Sequence, residues 1–331
     1  MSEPRRSRGA ARPSTFAVVA AFAAVYVLWG STYLGIRFSI ETLPPFFTQG
    51  VRFVLAGLLI YAWARARGAA APSRREWGGA AITGLLLFVC GTGGVVWAEH
   101  FLPSGVTALV VATEPLSFVL IDAMRRRRRP QGYVLAGLAL GSAGLLVLVG
   151  PGTIFGGERF HLGACLVLVA GTFAWAGGSL FSRGSRLPAS PMMATAATLL
   201  WGGALLAALG AASGELARFD PAAASARSVV ATVYLFIFGS IVGFTAYLWL
   251  LRVTTASRVA TYAYVNPIVA VFLGWALADE PLTPRVFAAA AIIVGAVALI
   301  IRHGGEEEEE IASAGGDDDF GCAKAPETLH A

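Results

Sequence analysis

Charge is what this chain has least of. Only 14% of its 331 residues are Asp, Glu, Lys or Arg, against about 25% in a soluble globular protein. Lys324 is the single lysine among 25 basic residues. Nine of the 20 acidic residues (Glu306 to Glu310, Asp317 to Asp319 and Glu327) sit in one C-terminal stretch, so the rest of the chain is poorer still in carboxylates. Three cysteines, Cys90, Cys165 and Cys322, supply neither an even disulfide set nor a C-x-x-C metal or redox pair. Cys90 and Cys165 lie in apolar runs and read as small core residues. The four histidines (His100, His161, His303 and His330) fall at the ends of apolar runs or in the tail. That leaves no buried Ser–His dyad and no metal cluster. A secreted disulfide scaffold, a soluble dinucleotide-binding enzyme and a disordered chain are excluded. No cofactor, metal, catalytic residue or nucleic-acid partner is expected.

What remains is apolar. Hydrophobic residues make up 56% of the chain and the mean hydropathy is +0.68. A helix needs about 20 apolar residues to cross a bilayer, and ten windows qualify: 16–38, 46–64, 77–98, 104–123, 132–150, 160–181, 191–210, 228–251, 258–278 and 285–301. The runs are continuous rather than alternating, which predicts helices and not a membrane β-barrel. The expected class is an all-α polytopic membrane protein with ten transmembrane helices.

Arginine orients it. Eighteen arginines fall at the N-terminus, in the even-to-odd connectors and after the last span. The other connectors hold four, Arg159, Arg218, Arg227 and Arg285, together with most of the remaining acids. Cytoplasmic loops carry the excess of Arg and Lys, so both termini are expected in the cytoplasm of a multi-pass protein of the cell (inner or plasma) membrane. The basic start MSEPRRSRGAARPS reads as a retained flank, because the first span is too long for a signal-peptide core. The run Arg125 to Arg129 reads as a topology anchor that meets anionic lipid headgroups. The acidic tail is low in complexity and reads as disordered and solvated.

An internal repeat follows from spacing. Trp29 to Pro45 is 16 residues, as is Trp175 to Pro191. Trp97 to Pro115 and Trp249 to Pro267 are each 18. Pro130 and Gly141 match Pro284 and Gly295 in the same way. Each half therefore holds five spans, and because five is odd the second half enters the bilayer from the opposite side. Inverted repeats of this kind are the architecture of many secondary transporters, with the substrate site near the midplane at their interface. The expected organisation is a basic stretch at 1–15, a first repeat at 16–150, a second at 160–302 and the acidic tail at 303–331.

The stretches WGSTYLGIRFSIETLPPF, VWAEHFLPSGVTALVVATEPL and YVNPIVAVFLGWALADEPLT resemble EamA-type permeases of the drug/metabolite transporter superfamily, the first two its YedA-like branch in particular. The resemblance implies ten helices in two inverted repeats around a central cavity, with the fifth and tenth peripheral. It also implies export of amino acids or other small metabolites. One departure stands out. The family often has a Gly-Glu pair before Pro-Leu-Thr after the ninth helix; here the pair is Asp279-Glu280 before Pro281-Leu282-Thr283.

Intramembrane charges are expensive and mark functional candidates. Glu114 lies about 15 Å into its span by helical rise, and Pro115 after it deprives the Val111 carbonyl of its helical partner. Broken backbone beside a carboxylate suits a cavity-lining site that binds substrate or couples transport to protons; the competing role is a structural carboxylate paired with a neighbouring helix. Asn266, before Pro267, is its uncharged counterpart, a cavity hydrogen-bonder or a filler of the helix bend. Arg52 lies about 9 Å into the second span and either pairs with Glu114 or receives a substrate carboxylate bidentately. Trp29, Ser31, Thr32, Tyr33, Ser117 and Tyr262 are further candidates for the cavity wall; Phe118, Trp97, Trp175, Trp249 and Tyr264 complete the aromatic set, Trp97 and Trp175 being nearer an edge. Tyr and Trp also form interfacial belts, so part of the set packs instead. Glu99 and Asp122 sit near span ends, where an interfacial placement is expected. Gly137, Gly141, Gly144, Ala291 and Gly295 form small-residue faces for helix packing and a possible homodimer, and Gly91 to Gly94 pack a helix rather than cradle phosphate. The function these features point to is a secondary transporter of small metabolites working by alternating access. A membrane-embedded enzyme, or a channel or receptor without carrier activity, is the alternative.

Overall fold

The structure is a computed structural model that describes residues 14–125, 127, 132–149, 161–184, 187–254, 259, 262–296 and 298–299. The basic start, the acidic tail and Arg126, Arg128 and Arg129 lie outside the described residues. Within them there are ten long helices and no strand. They are α1 (Thr15–Ser39), α2 (Pro45–Ala66), α3 (Arg74–Ala98), α4 (Ser104–Arg125), α5 (Gly132–Val149), α6 (Leu162–Gly184), α7 (Pro191–Ala212), α8 (Ala226–Val253), α9 (Tyr262–Ala278) and α10 (Pro284–Ala296). Seven of them are long and apolar enough to cross a membrane.

Local signals place the helix starts. Pro45 and Pro191, the matched prolines of the two halves, both open a helix, where a missing N–H leaves nothing unsatisfied. Ser73 and Glu76 form a reciprocal capping box at α3. Ser14, Ser190 and Ser225 cap α1, α7 and α8 by accepting from backbone N–H groups. At α2 a carboxylate completes the end: Phe46 N and Phe47 N donate to the two oxygens of Glu215, at 3.1 and 2.8 Å.

The contacts obey a two-fold rule. α1 packs on α8 and α9, as α6 packs on α3 and α4; α2 meets α8, as α7 meets α3; and α2–α7 and α4–α9 pair across the axis. Each of these contacts has its counterpart five helices on. Two five-helix repeats related in this way must run through the membrane in opposite senses, which is the inverted architecture read from the spacing.

The axis passes through α2 and α7, the most extensive helix pair, and glycine lets them approach. A Cβ on Gly50 would lie 2.3 Å from Ala207 N, and one on Gly203 2.7 Å from Gly50 O. Close backbone approach of this kind is how membrane helices associate without a hydrophobic driving force. Gly50→Ala is expected to destabilise the fold by about 1–3 kcal/mol, the usual range for overpacking, read as earlier thermal unfolding of the purified protein in detergent.

Helical distortions fall at equivalent places. α3 contains a π-helical segment at Leu85–Thr92 and α8 one at Leu235–Gly243. Thr92 Oγ1 donates to Leu87 O in the first, and Ser240 Oγ donates to Leu235 O in the second. α1 has a π turn at Ala24–Leu28. α4 breaks at Ala112–Thr113, immediately before Glu114 and Pro115, and Thr113 Oγ1 closes the break by donating to Val110 O at 2.8 Å. Such interruptions are tolerated at membrane depth where the backbone lines a cavity or is buried in protein. Gly144 of α5 lies against Ile293 of α10, a close approach on the expected small-residue face of α5, whereas Gly295 of α10 faces open space.

Candidate functional site

The interruptions surround a cavity of about 110 Å³, several waters' worth at roughly 30 Å³ each. Its wall is drawn from α1, α2, α3, α4, α6, α8 and α9, and from neither α5 nor α10.

α1 presents Trp29, Thr32, Tyr33 and Ile36 to the cavity, the i, i+3, i+4, i+7 stripe of one helix face. Ser31 lies off that stripe. Its Oγ donates to Leu28 O at 2.7 Å and pairs with Tyr234 Oη at 2.5 Å, so this candidate ties α1 to α8 and does not line the wall. Ser117 is likewise one layer back, bonded at 2.8 Å to Thr172, which does line it. The remaining sequence candidates, Glu114, Arg52, Asn266 and Tyr262, all reach the cavity.

Glu114 is 3% exposed, and its Oε1 accepts from Tyr262 Oη at 2.5 Å. Arg52 is 5% exposed and does not pair with Glu114. Its Nε donates to Gln49 Oε1 at 2.5 Å, and its Nη1 donates to Leu235 O at 3.1 Å and to Ser240 Oγ at 2.7 Å. The Leu235 carbonyl lies in the π segment of α8, so the helical distortion holds the guanidinium. Arg52 also stacks over Phe53, 4.1 Å from the ring centroid. Among the described residues no carboxylate pairs with it, and Nη2 makes no hydrogen bond to the protein.

Aromatic rings cluster in the wall. The symmetry-matched Trp29 and Trp175 meet edge to face, with centroids 5.7 Å apart, and Tyr247 and Tyr262 pack on Trp29. Both indoles are anchored: Trp29 Nε1 donates to Gly239 O at 3.3 Å and Trp175 Nε1 to Tyr247 Oη at 3.2 Å. Trp175, expected nearer an edge, is thus central, because α6 is 23 residues long and places it midway. Trp97 is exposed and meets Phe101 edge to face, and Trp249 packs against the core; both lie outside the wall. The side chains of Tyr264 and Asp122 lie outside the described residues. With its amide oriented to suit both neighbours, Asn266 donates to Tyr262 O and Tyr26 O at 3.3 and 2.9 Å. Its amide therefore ties α9 to α1 beside the Pro267 bend while lining the cavity.

Sequence reasoning missed Phe53, Phe88, Phe244 and Thr172 in the wall. Thr172 was legible, standing one helical turn before Trp175. The phenylalanines carried no signal, since apolar residues fill every span.

The Asp279-Glu280 pair also finds its role. Asp279 adopts φ +53° at the end of α9, and Glu280 N donates back to Gly274 O at 3.2 Å, a helix stop that favours glycine. The turn aims Glu280 at the N-terminus of α4. Its Oε1 accepts from Ser104 N and Ser104 Oγ, both at 2.8 Å, and its Oε2 from Gly105 N at 3.1 Å. Because a left-handed non-glycine residue stores about 1 kcal/mol or more, Asp279→Gly should stabilise the protein by about that amount, measured as later thermal unfolding.

Comparison with known proteins agrees with this architecture. The model of the EamA-like transporter family matches twice, over residues 15–150 and 161–302. The inner membrane transporter YedA of Escherichia coli is 40% identical over 261 residues, covering 78% of this chain and 82% of that one. A protein of the same organism named "Probable amino-acid metabolite efflux pump" is 26% identical over 274 residues, covering 80% and 88%. A crystal structure at 22% identity superposes with a TM-score of 0.60, covering 87% of this chain and 98% of the other, and so shares the fold. The chain is a multi-pass membrane transporter that belongs to the EamA-like transporter family, on its YedA-like branch.

Proposed function

We propose that this transporter exports small zwitterionic metabolites, amino acids foremost, in exchange for protons. The observation that carries the reading is the pair of opposite charges in one cavity wall: Arg52, with no carboxylate partner among the described residues, and Glu114, held by Tyr262. A zwitterion places its carboxylate on Arg52, where guanidinium and carboxylate geometry match, and its ammonium on Glu114. The aromatic rings take the apolar remainder. The amino-acid efflux pump among the relatives supports the same substrate class.

Export and proton coupling follow from competition. One carboxylate cannot hold a proton and pair as an anion with an ammonium at once, so Glu114 carries either a proton inward or a substrate outward. Alternating access of the two repeats around the site then links the fluxes. The test is reconstitution into liposomes with an imposed pH gradient and a panel of labelled amino acids, amines and carboxylic acids. Gradient-driven movement of zwitterions alone supports the reading, whereas equal movement of amines lacking a carboxylate contradicts it.

A further inference from the structure

One buried acid has no part in the cavity. Glu99, one residue beyond α3, was expected at the interface but is 3% exposed, and neither of its side-chain oxygens has a hydrogen-bond partner. An unpartnered buried carboxylate is costly in the ionised form, so its setting decides its state. The charged and titratable groups whose fields reach it are Arg37 and Tyr33 of α1 and Glu280 of the α9–α10 connector. His100 beside it holds Val96 O through Nδ1, and His161, just before α6, packs at a tilt against Phe101. Arg37 is already engaged: its Nε lies 3.5 Å from Glu280 Oε1, and its Nη1 donates to Leu102 O at 3.4 Å. Arg37 is thus ion-paired with Glu280, while Glu99 feels both charges and is hydrogen-bonded to neither.

The repeat supplies a control. Arg183 stands in the second half where Arg37 stands in the first, with Thr254 matching Leu102 and Leu251 matching Glu99. Arg183 Nη2 donates to Thr254 O at 3.0 Å, and Nε and Nη2 to Leu251 O at 3.3 Å. The same arginine therefore does its structural work with carbonyls, and among the described residues it has no carboxylate partner. The fold does not require an acid at position 99.

We propose that Glu99 is a second proton-binding site, at the helix ends that the arginine pattern places outside, occupied while Arg37 serves Glu280 and emptied when Arg37 turns to Glu99. On release the proton passes to water at that face, the Glu99 anion pairs with Arg37, and Glu280 keeps the N–H groups of α4. Burial, and then the charge of Glu280, push the Glu99 carboxyl well above the ordinary carboxylate range, while Arg37 opposes them. This second site deepens the proton-coupled reading but is tested without transport, so the two can fail separately.

The experiment is infrared titration of protonated carboxyl groups in the purified full-length protein, without substrate. The wild type should show a buried carboxyl component at neutral pH that Glu99→Gln removes and Glu114→Gln leaves. Glu280→Gln, which frees Arg37 for Glu99, should lower the midpoint of that component by about one pH unit or more, a tenfold loss of proton affinity. Arg37→Met should raise it. The last two variants retain Glu99, so the test survives if Glu99→Gln fails to fold, as judged by gel filtration. A spectrum unchanged by Glu99→Gln overturns the site. A midpoint unmoved by Glu280→Gln overturns the exchange of Arg37, and a component that follows sodium at fixed pH overturns the proton.

Discussion

Glu114→Gln should abolish accumulation driven by a pH gradient while leaving substrate exchange measurable. A proton moving down one pH unit supplies about 1.4 kcal/mol, so a one-for-one exchanger sustains roughly a tenfold substrate gradient per pH unit. The variant cannot carry that proton and should hold a ratio near one. Glutamine is close in shape and its amide oxygen still accepts from Tyr262 Oη, the 2.5 Å contact that joins α4 to α9, so the helix break before Pro115 should persist. Losing the charged partner of the substrate ammonium removes one charge-assisted hydrogen bond, worth about 1.5–3 kcal/mol. Half-saturation in exchange should accordingly rise roughly ten- to hundredfold. A variant that still concentrates substrate with unaltered pH dependence would remove Glu114 from the coupling role.

The legible part of this molecule was the part set by the bilayer. Ten apolar windows predicted ten helices because lipid forces every spanning segment to satisfy its own backbone. The matched Trp–Pro spacings predicted the repeat because Pro45 and Pro191 do the same job at the starts of α2 and α7, and Trp29 and Trp175 meet at the centre. Glu114 and Arg52 stood out because charge at that depth is rare. Facing was harder. Ser31 and Thr32 are neighbours in sequence and point about 100° apart on a helix, so one ties α1 to α8 while the other lines the cavity. That Arg52 does not pair with Glu114 turned on the π segment of α8, whose Leu235 carbonyl and Ser240 hydroxyl hold the guanidinium. Nothing in the local sequence announces that one extra residue per turn. The burial of Glu99 and the target of Glu280 were hidden for a related reason. Depth along a helix says little where connectors fold back, and the reversal at Asp279 brings Glu280 onto α4 from 176 residues away.

Arg52→Lys and Arg52→Gln should both transport amines better than zwitterions, reversing the wild-type preference. Arg52 stands alone in the repeat: the position matched to it in the second half is Thr198, whose hydroxyl donates to Ala194 O within its own helix. Symmetry therefore does not explain the guanidinium, and 5% exposure without a carboxylate partner among the described residues leaves a buried cation for something else to neutralise. Removing one member of a buried, hydrogen-bonded charge pair costs about 2–5 kcal/mol, so affinity for zwitterions should fall at least thirtyfold in Arg52→Gln. Arg52→Lys keeps the charge and loses the planar fork; it should recover part of that loss and no more. Arg52 also binds Gln49, Leu235 O and Ser240, so both variants should unfold at lower temperature. The substrate preference separates the two roles. A purely structural arginine lowers transport of amines and zwitterions in equal proportion, whereas a carboxylate receptor penalises the zwitterion alone.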